Sequence, residues 1–252
     1  MRSDPFAIFA HYDNKTLGYK GVGTPPTILL PILLLGVIER ALNMPASERE
    51  QLMDGLRGML RGEGAGIDLD SPTHWVIESV RERVPFSRAL ATLLPAGGVL
   101  YFEGTAIAPY VAGFYERHAA ANTVPVVRDC ISPVPDIFHV SFSPAVIDGL
   151  CELAAERATS ELFDHIKAYN DAVLVFTYHD AFDGQLRVSG RLPETVIHSF
   201  CATLGATYTQ EPTQKRDPEQ MRRFLWALEN PGKVRIAREP IWKRIWHFIT
   251  RQ

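Results

Sequence analysis

Two rhythms of apolar and polar positions run along this chain, changing near residue 95. Before that point helical spacing dominates. Leu52, Leu56 and Leu60 lie four apart and share one helix face. Ser47 followed by Glu50 matches a capping box and predicts where that helix starts. Residues 5–12 read as a strand and 13–26 as a loop rich in Gly, Pro and Asn. The apolar run 27–38, closed by Glu39 and Arg40, predicts a buried helix reaching about Leu42. Its length of about twelve residues falls short of the roughly twenty that span a bilayer. With one or two helices expected over 73–94, the region 13–94 reads as a helical lobe.

From Pro95 onward, short apolar runs alternate with turns. Residues 97–104 predict a strand, 105–121 a helix with Pro109 in its first turn, and 124–131 a second strand. Strand, helix, strand is a βαβ unit with a right-handed crossover. A strand at 136–142 follows, then a helix over 144–158 with Val146, Leu150, Leu153 and Ala154 on one side. Asn170–Asp171 and Asp183–Gly184 suit hairpin turns and predict a meander of strands 163–169, 172–180 and 185–189. Residues 159–169 also suit an extension of the preceding helix. Helices are expected at 193–204 and at 217–230, where Asp217 caps and Pro218 takes the first position. The predicted fold is α+β: a mixed β-sheet with a βαβ unit and a C-terminal antiparallel meander, flanked by helices. It is read as one compact domain over 1–252, with a helical N-terminal lobe at about 13–94 and the sheet in about 95–252.

Composition narrows the function classes. The formal net charge is −3 and there is no basic tract, so nucleic acid is not an expected partner. Cys130, Cys151 and Cys201 are odd in number and far apart, which predicts reduced thiols and no cysteine-rich zinc site. Residues 1–10 lack the pattern of a signal peptide, so a soluble, cytoplasmic protein without a membrane span is expected. Residues 240–252 predict an amphipathic helix with Trp242 and Trp246 opposite Lys243 and Arg244; docking on the protein's own core is the first expectation, contact with a membrane surface or a partner groove the alternative.

Candidate chemistry concentrates in residues 162–190. Alternation through the two predicted turns puts Ile166, Ala168, Val173, Val175, Leu186 and Val188 on a core face. The opposite face then carries His165, Lys167, Tyr169, Phe176, Tyr178, Asp180, Arg187 and Ser189, with Asp180 opposite Arg187. On this register His179 belongs to the core face, so a His165–His179 metal pair is not expected, and neither a metal site nor a cofactor is predicted. Aromatic side chains mixed with Arg and His suit an interface. The first expectation is therefore a non-enzymatic binding protein of the inhibitor, adaptor or immunity type. Its partner is another protein, held by His165, Lys167, Phe176, Tyr178, Asp180 and Arg187. The alternative is a hydrolase of a phosphate ester or similar anionic substrate, using His139 or His165 with Glu103 or Asp180. His139 and Ser141 supply one His-x-Ser half-motif, but phosphoester chemistry of that kind needs two and no second copy is present. Glu103 is singled out because it ends a strand expected to be parallel, where α/β proteins bind ligands. The glycine-rich loop 18–24 lacks the ending of a phosphate-binding loop.

Overall fold

The computed structural model describes residues 41, 43–61, 66–130, 133–213 and 218–230. The expectations for the strand at 5–12, the loop at 18–24, the apolar run at 27–38 and the helix at 240–252 lie outside these residues. The described elements are α1 (Ala46–Leu60), β1 (Thr73–Glu78), α2 (Arg83–Leu93), β2 (Val99–Gly104) and α3 (Pro109–Arg117). β3 (Asp136–Ser141), α4 (Pro144–Glu156), α5 (Thr159–Leu162), β4 (His165–Asn170) and β5 (Val173–Tyr178) follow. The last are β6 (Leu186–Ser189), α6 (Glu194–Leu204), β7 (Thr207–Pro212) and α7 (Pro218–Glu229). The class is α+β. The seven strands form one sheet in the order β3-β2-β4-β5-β6-β1-β7, and every pair in it is antiparallel. No described helix is long and apolar enough to cross a membrane.

One face of the sheet carries the main core. Helix α4 shows how local sequence builds it. Ser143 accepts the Val146 N–H at 3.3 Å, Pro144 occupies the first turn, and Val146, Leu150 and Leu153 face inward. Phe86 of α2 meets Phe176, Tyr178, Phe182 and Phe200 edge-on. Helices α1 and α7 have a small core of their own, in which Leu52 and Leu56 pack on Phe224 and Leu228. Helix α1 begins at Ala46, so Ser47 lies inside its first turn rather than flanking it.

Three expectations give way. Residues 73–78 form β1 rather than a helix, because Trp75 and Ile77 enter the main core while Val76 is buried on the opposite face. The described residues 124–130 of the run expected as a second strand are not one. They cross the second sheet face, touching Ile67 through one parallel bridge at Val126. Pro125 supplies no ladder donor, and its carbonyl accepts the Ile67 N–H at 2.9 Å. The βαβ unit therefore disappears, and β3 enters antiparallel to β2. Strand β7, with Tyr208 against Trp75 at 5.8 Å, was not predicted at all.

The meander forms, but with different turns. The first turn lies at Asp171–Ala172, with Asp171 at φ 52°. A register shift then occurs between Ala168 and Tyr169: Tyr169 faces Leu174, while Ala168 faces Phe176. Val175 is the extra residue of a β-bulge, and it reverses the parity of everything after it. Phe176 and Tyr178 turn into the main core, 0% and 1% exposed, instead of out to solvent. Thr177 and His179 turn to the second face. The second turn is a longer loop in which Asp180 O accepts N–H groups from Asp183 at 2.9 Å and Gly184 at 2.6 Å. Positive φ falls on Asp180 (45°) and Phe182 (72°), not on Asp183–Gly184. Arg187 faces Thr177, so the expected Asp180–Arg187 cross-strand pair is absent.

Glycine is still required at 184, for a steric reason. A Cβ there would sit 2.0 Å from the His179 carbonyl oxygen. Gly184→Ala is expected to cost about 1–3 kcal/mol in urea unfolding, the range for forced overpacking. A cost below about 0.5 kcal/mol would mean that this loop relaxes freely.

Candidate functional site

The second sheet face carries its polar side chains in two cross-strand rows. One runs His139, Tyr101, Lys167, Thr177, Arg187 and Val76 across six strands. The next begins Ile137, Glu103, His165, and the bulge brings His179 beside it. The segment 124–130 crosses above these rows, with Val126 packed on an apolar patch formed by Val99, Tyr101, Tyr169 and Leu174.

Glu103 anchors that crossing. It is fully buried and accepts the Tyr101 hydroxyl at 2.9 Å and the Asp129 N–H at 3.1 Å. The Cys130 N–H donates to it as well. Burial pushes its carboxyl up, and the neighbouring Asp129 charge adds to this. Lys167 and the two backbone donors pull the other way. Tyr101 is raised by the same burial and by Glu103. With its backbone fixed, Asp129 meets Lys167 Nζ at 2.9 Å, and Lys167 also donates to the Val127 carbonyl. Glu103 is thus a positioning residue: it sets the segment that carries Asp129.

Where β4 starts and β5 ends, the Nδ1 atoms of His165 and His179 lie 2.9 Å apart. His165 Nδ1 also accepts the Asp180 N–H at 3.0 Å. Its lone pair is therefore engaged, and His179 donates the proton between the rings. Asp180 Oδ1 is 3.7 Å from both Nδ1 atoms. Burial raises the Asp180 carboxyl, His179 opposes this, and Asp129, Asp164 and Asp183 raise it further. Asp164 itself accepts from the N–H and the hydroxyl of Thr105 at 2.8 and 2.9 Å. Among the described residues, the cluster reaches solvent through His179 and Asp180. The His179 and Asp180 side chains are 22% and 24% exposed, against 2% for His165.

Of the residues singled out from sequence, Glu103, His165, Lys167 and Asp180 come together here. Phe176 and Tyr178 do not, being on the other face. Arg187 stands in the Lys167 row beyond Thr177, and burial lowers its pKa. His139 is separate too: its Nδ1 bonds the Tyr169 hydroxyl at 2.9 Å, and burial lowers its pKa. Glu103 does not end a parallel strand, so the original ground for choosing it falls away. Sequence reasoning missed Asp129 and Tyr101, and it placed His179 on the core face, whereas the bulge brings it beside His165. The signal for Asp129 was the charged pair Arg128–Asp129 inside an otherwise apolar run. The three cysteines are free thiols.

No family model, no curated protein and no solved structure matches this chain. What the cluster does is therefore argued from its geometry.

Proposed function

We propose that the protein is a hydrolase of a phosphate ester or similar anionic small substrate, working from the His165–His179–Asp180 end of the cluster. The observation that carries this is the imidazole pair at 2.9 Å, buried on one side and open on the other, with a carboxylate 3.7 Å from both rings. Proton transfer needs a group that titrates near neutrality and can be reached by substrate. His179 meets the second requirement, and His165 behind it holds its orientation. The free thiols suit a reducing, cytoplasmic setting.

A phosphatase and phosphodiesterase screen, with and without added divalent metal, tests the reading. His179→Ala and His165→Ala are each expected to lower turnover by on the order of 100-fold or more. His139→Ala, in its separate Tyr169 contact, is expected to leave it unchanged. A blank screen, or activity indifferent to His179, overturns the assignment.

A protein-binding function of the inhibitor, adaptor or immunity type draws support from a different place. Residues 118–120 cover the outer edge of β3 only at His139–Ser141. Near its start Ile137 is 38% and Val134 81% exposed, which suits a partner that adds a strand. A partner bound by the wild type and lost with Ile137→Asp, while hydrolysis is absent, would favour this reading over the first.

A further inference from the structure

The mouth of the cluster poses an electrostatic difficulty for an anionic substrate. Asp129, Asp164, Asp180 and Asp183 all act on one small region. Lys167 is paired to Asp129 at 2.9 Å, and Arg187 also interacts electrostatically with Asp129. Such a site repels an anion and attracts a cation. Three side chains there converge: a ring nitrogen each of His165 and His179 and a carboxylate oxygen of Asp129 lie within 4.8 Å of one another.

We propose that Asp129, His165 and His179 hold one divalent transition-metal ion of the zinc type. The inference rests on the reading that this cluster is the working centre, and it supplies the positive charge that reading needs. Three separate chain segments deliver the ligands: the crossing segment, the start of β4 and the residue after β5. Two imidazole nitrogens bound tetrahedrally to one zinc at 2.0–2.1 Å stand roughly 3.3–3.4 Å apart. The two Nδ1 atoms lie at 2.9 Å, so the rings need to part by only a few tenths of an ångström to admit the ion. In the metal-free arrangement a single proton bridges the rings; the ion would take its place, and the Asp180 N–H would give up His165 Nδ1 as its acceptor. Two imidazoles with one carboxylate select transition metals over magnesium or calcium, which prefer oxygen donors throughout. Three protein ligands leave a coordination position for water or substrate. Support from outside the ligand set is in place, since Lys167 orients the Asp129 carboxylate and Glu103 fixes its backbone.

Calorimetric titration of the untagged, chelator-stripped full chain with Zn²⁺, and separately with Mg²⁺, tests the site. One equivalent of Zn²⁺ is expected, no comparable Mg²⁺ binding, and the visible absorption of a nitrogen-ligated ion with Co²⁺. His179→Ala removes a partly exposed side chain and should weaken Zn²⁺ binding by on the order of 100-fold. Asp129→Asn reads the same ligand set from another segment and should weaken it likewise. His198→Ala, exposed on α6, should leave it unchanged. Absence of saturable Zn²⁺ binding, or binding that survives His179→Ala intact, overturns the proposal. Stoichiometric Zn²⁺ binding beside a blank hydrolysis screen keeps the metal site and removes the hydrolase. Chelator-resistant hydrolysis that is lost in His165→Ala does the reverse.

Discussion

Phe176→Ala is expected to cost about 3–5 kcal/mol, the range for deleting a large aromatic side chain from a close-packed core. The ring is fully buried, packs edge-on against Phe86 with centroids 6.5 Å apart, and lies between Ala168 and Val188 in the neighbouring strands. Little around it can collapse into the space, because Phe86 is itself held by Tyr178, Phe182 and Phe200. The measurement is urea unfolding of wild type and variant at one pH, with equal slopes required before the midpoints are compared. The result also tests the bulge. Without the extra residue at Val175, strict alternation from Leu174 returns Phe176 to the second face, away from the aromatic group around Phe86, where truncation would cost clearly less. A small value would therefore overturn the register, and with it the placement of His179 beside His165.

That bulge also explains why only part of the site was legible. Residues 172–176 are Ala, Val, Leu, Val and Phe, five apolar side chains in a row. Alternation cannot locate an inserted residue in such a run, since either parity buries apolar groups. The choice is made by tertiary packing: Phe176 and Tyr178 complete the aromatic group around Phe86, while Leu174 fills the patch beside Tyr169 and Val126. Helix α4 was legible because its determinants are local: a serine cap, a proline in the first turn and an apolar face of helical period. Asp129 was hidden for the opposite reason. Its role depends on Glu103, 26 residues earlier, capturing the backbone of the crossing segment. The run that carries it has the composition of a strand but is spent covering a sheet face. Lys167, Glu103, His165 and Asp180 could be named as polar residues on or beside strands. That they meet follows from the pairing of β2 with β4, two strands separated in the chain by three helices and an edge strand.

Lys167→Met should be as costly as Phe176→Ala at neutral pH, but for an electrostatic reason that gives it a different signature. The lysine side chain is 1% exposed and its ammonium pairs with Asp129 at 2.9 Å. Methionine fills much of the volume, so the loss is chiefly of charge. Glu103 and Asp129 are then left as neighbouring carboxylates with the compensating cation gone, a situation that costs about 3–5 kcal/mol in buried pairs. Glu103 sets the direction of the pH dependence. Burial and Asp129 already hold its folded-state pKa above the ordinary value, so the folded chain keeps a proton that the unfolded chain releases. Stability from this group is present at low pH and is lost as pH rises from about 4.5 toward the folded-state value. Removing Lys167 removes an influence that lowers that value, so the variant loses stability over a wider span of pH than the wild type. The wild type has the converse weakness: in acid its lysine stays charged while Glu103, its pKa raised, is neutralised. The difference between the two proteins should therefore be small near pH 4 and reach its full size near pH 7, in paired denaturation series across that range. A deficit that stays constant with pH would assign Lys167 to packing alone and would dissolve the charge network on which the positioning of Asp129 depends.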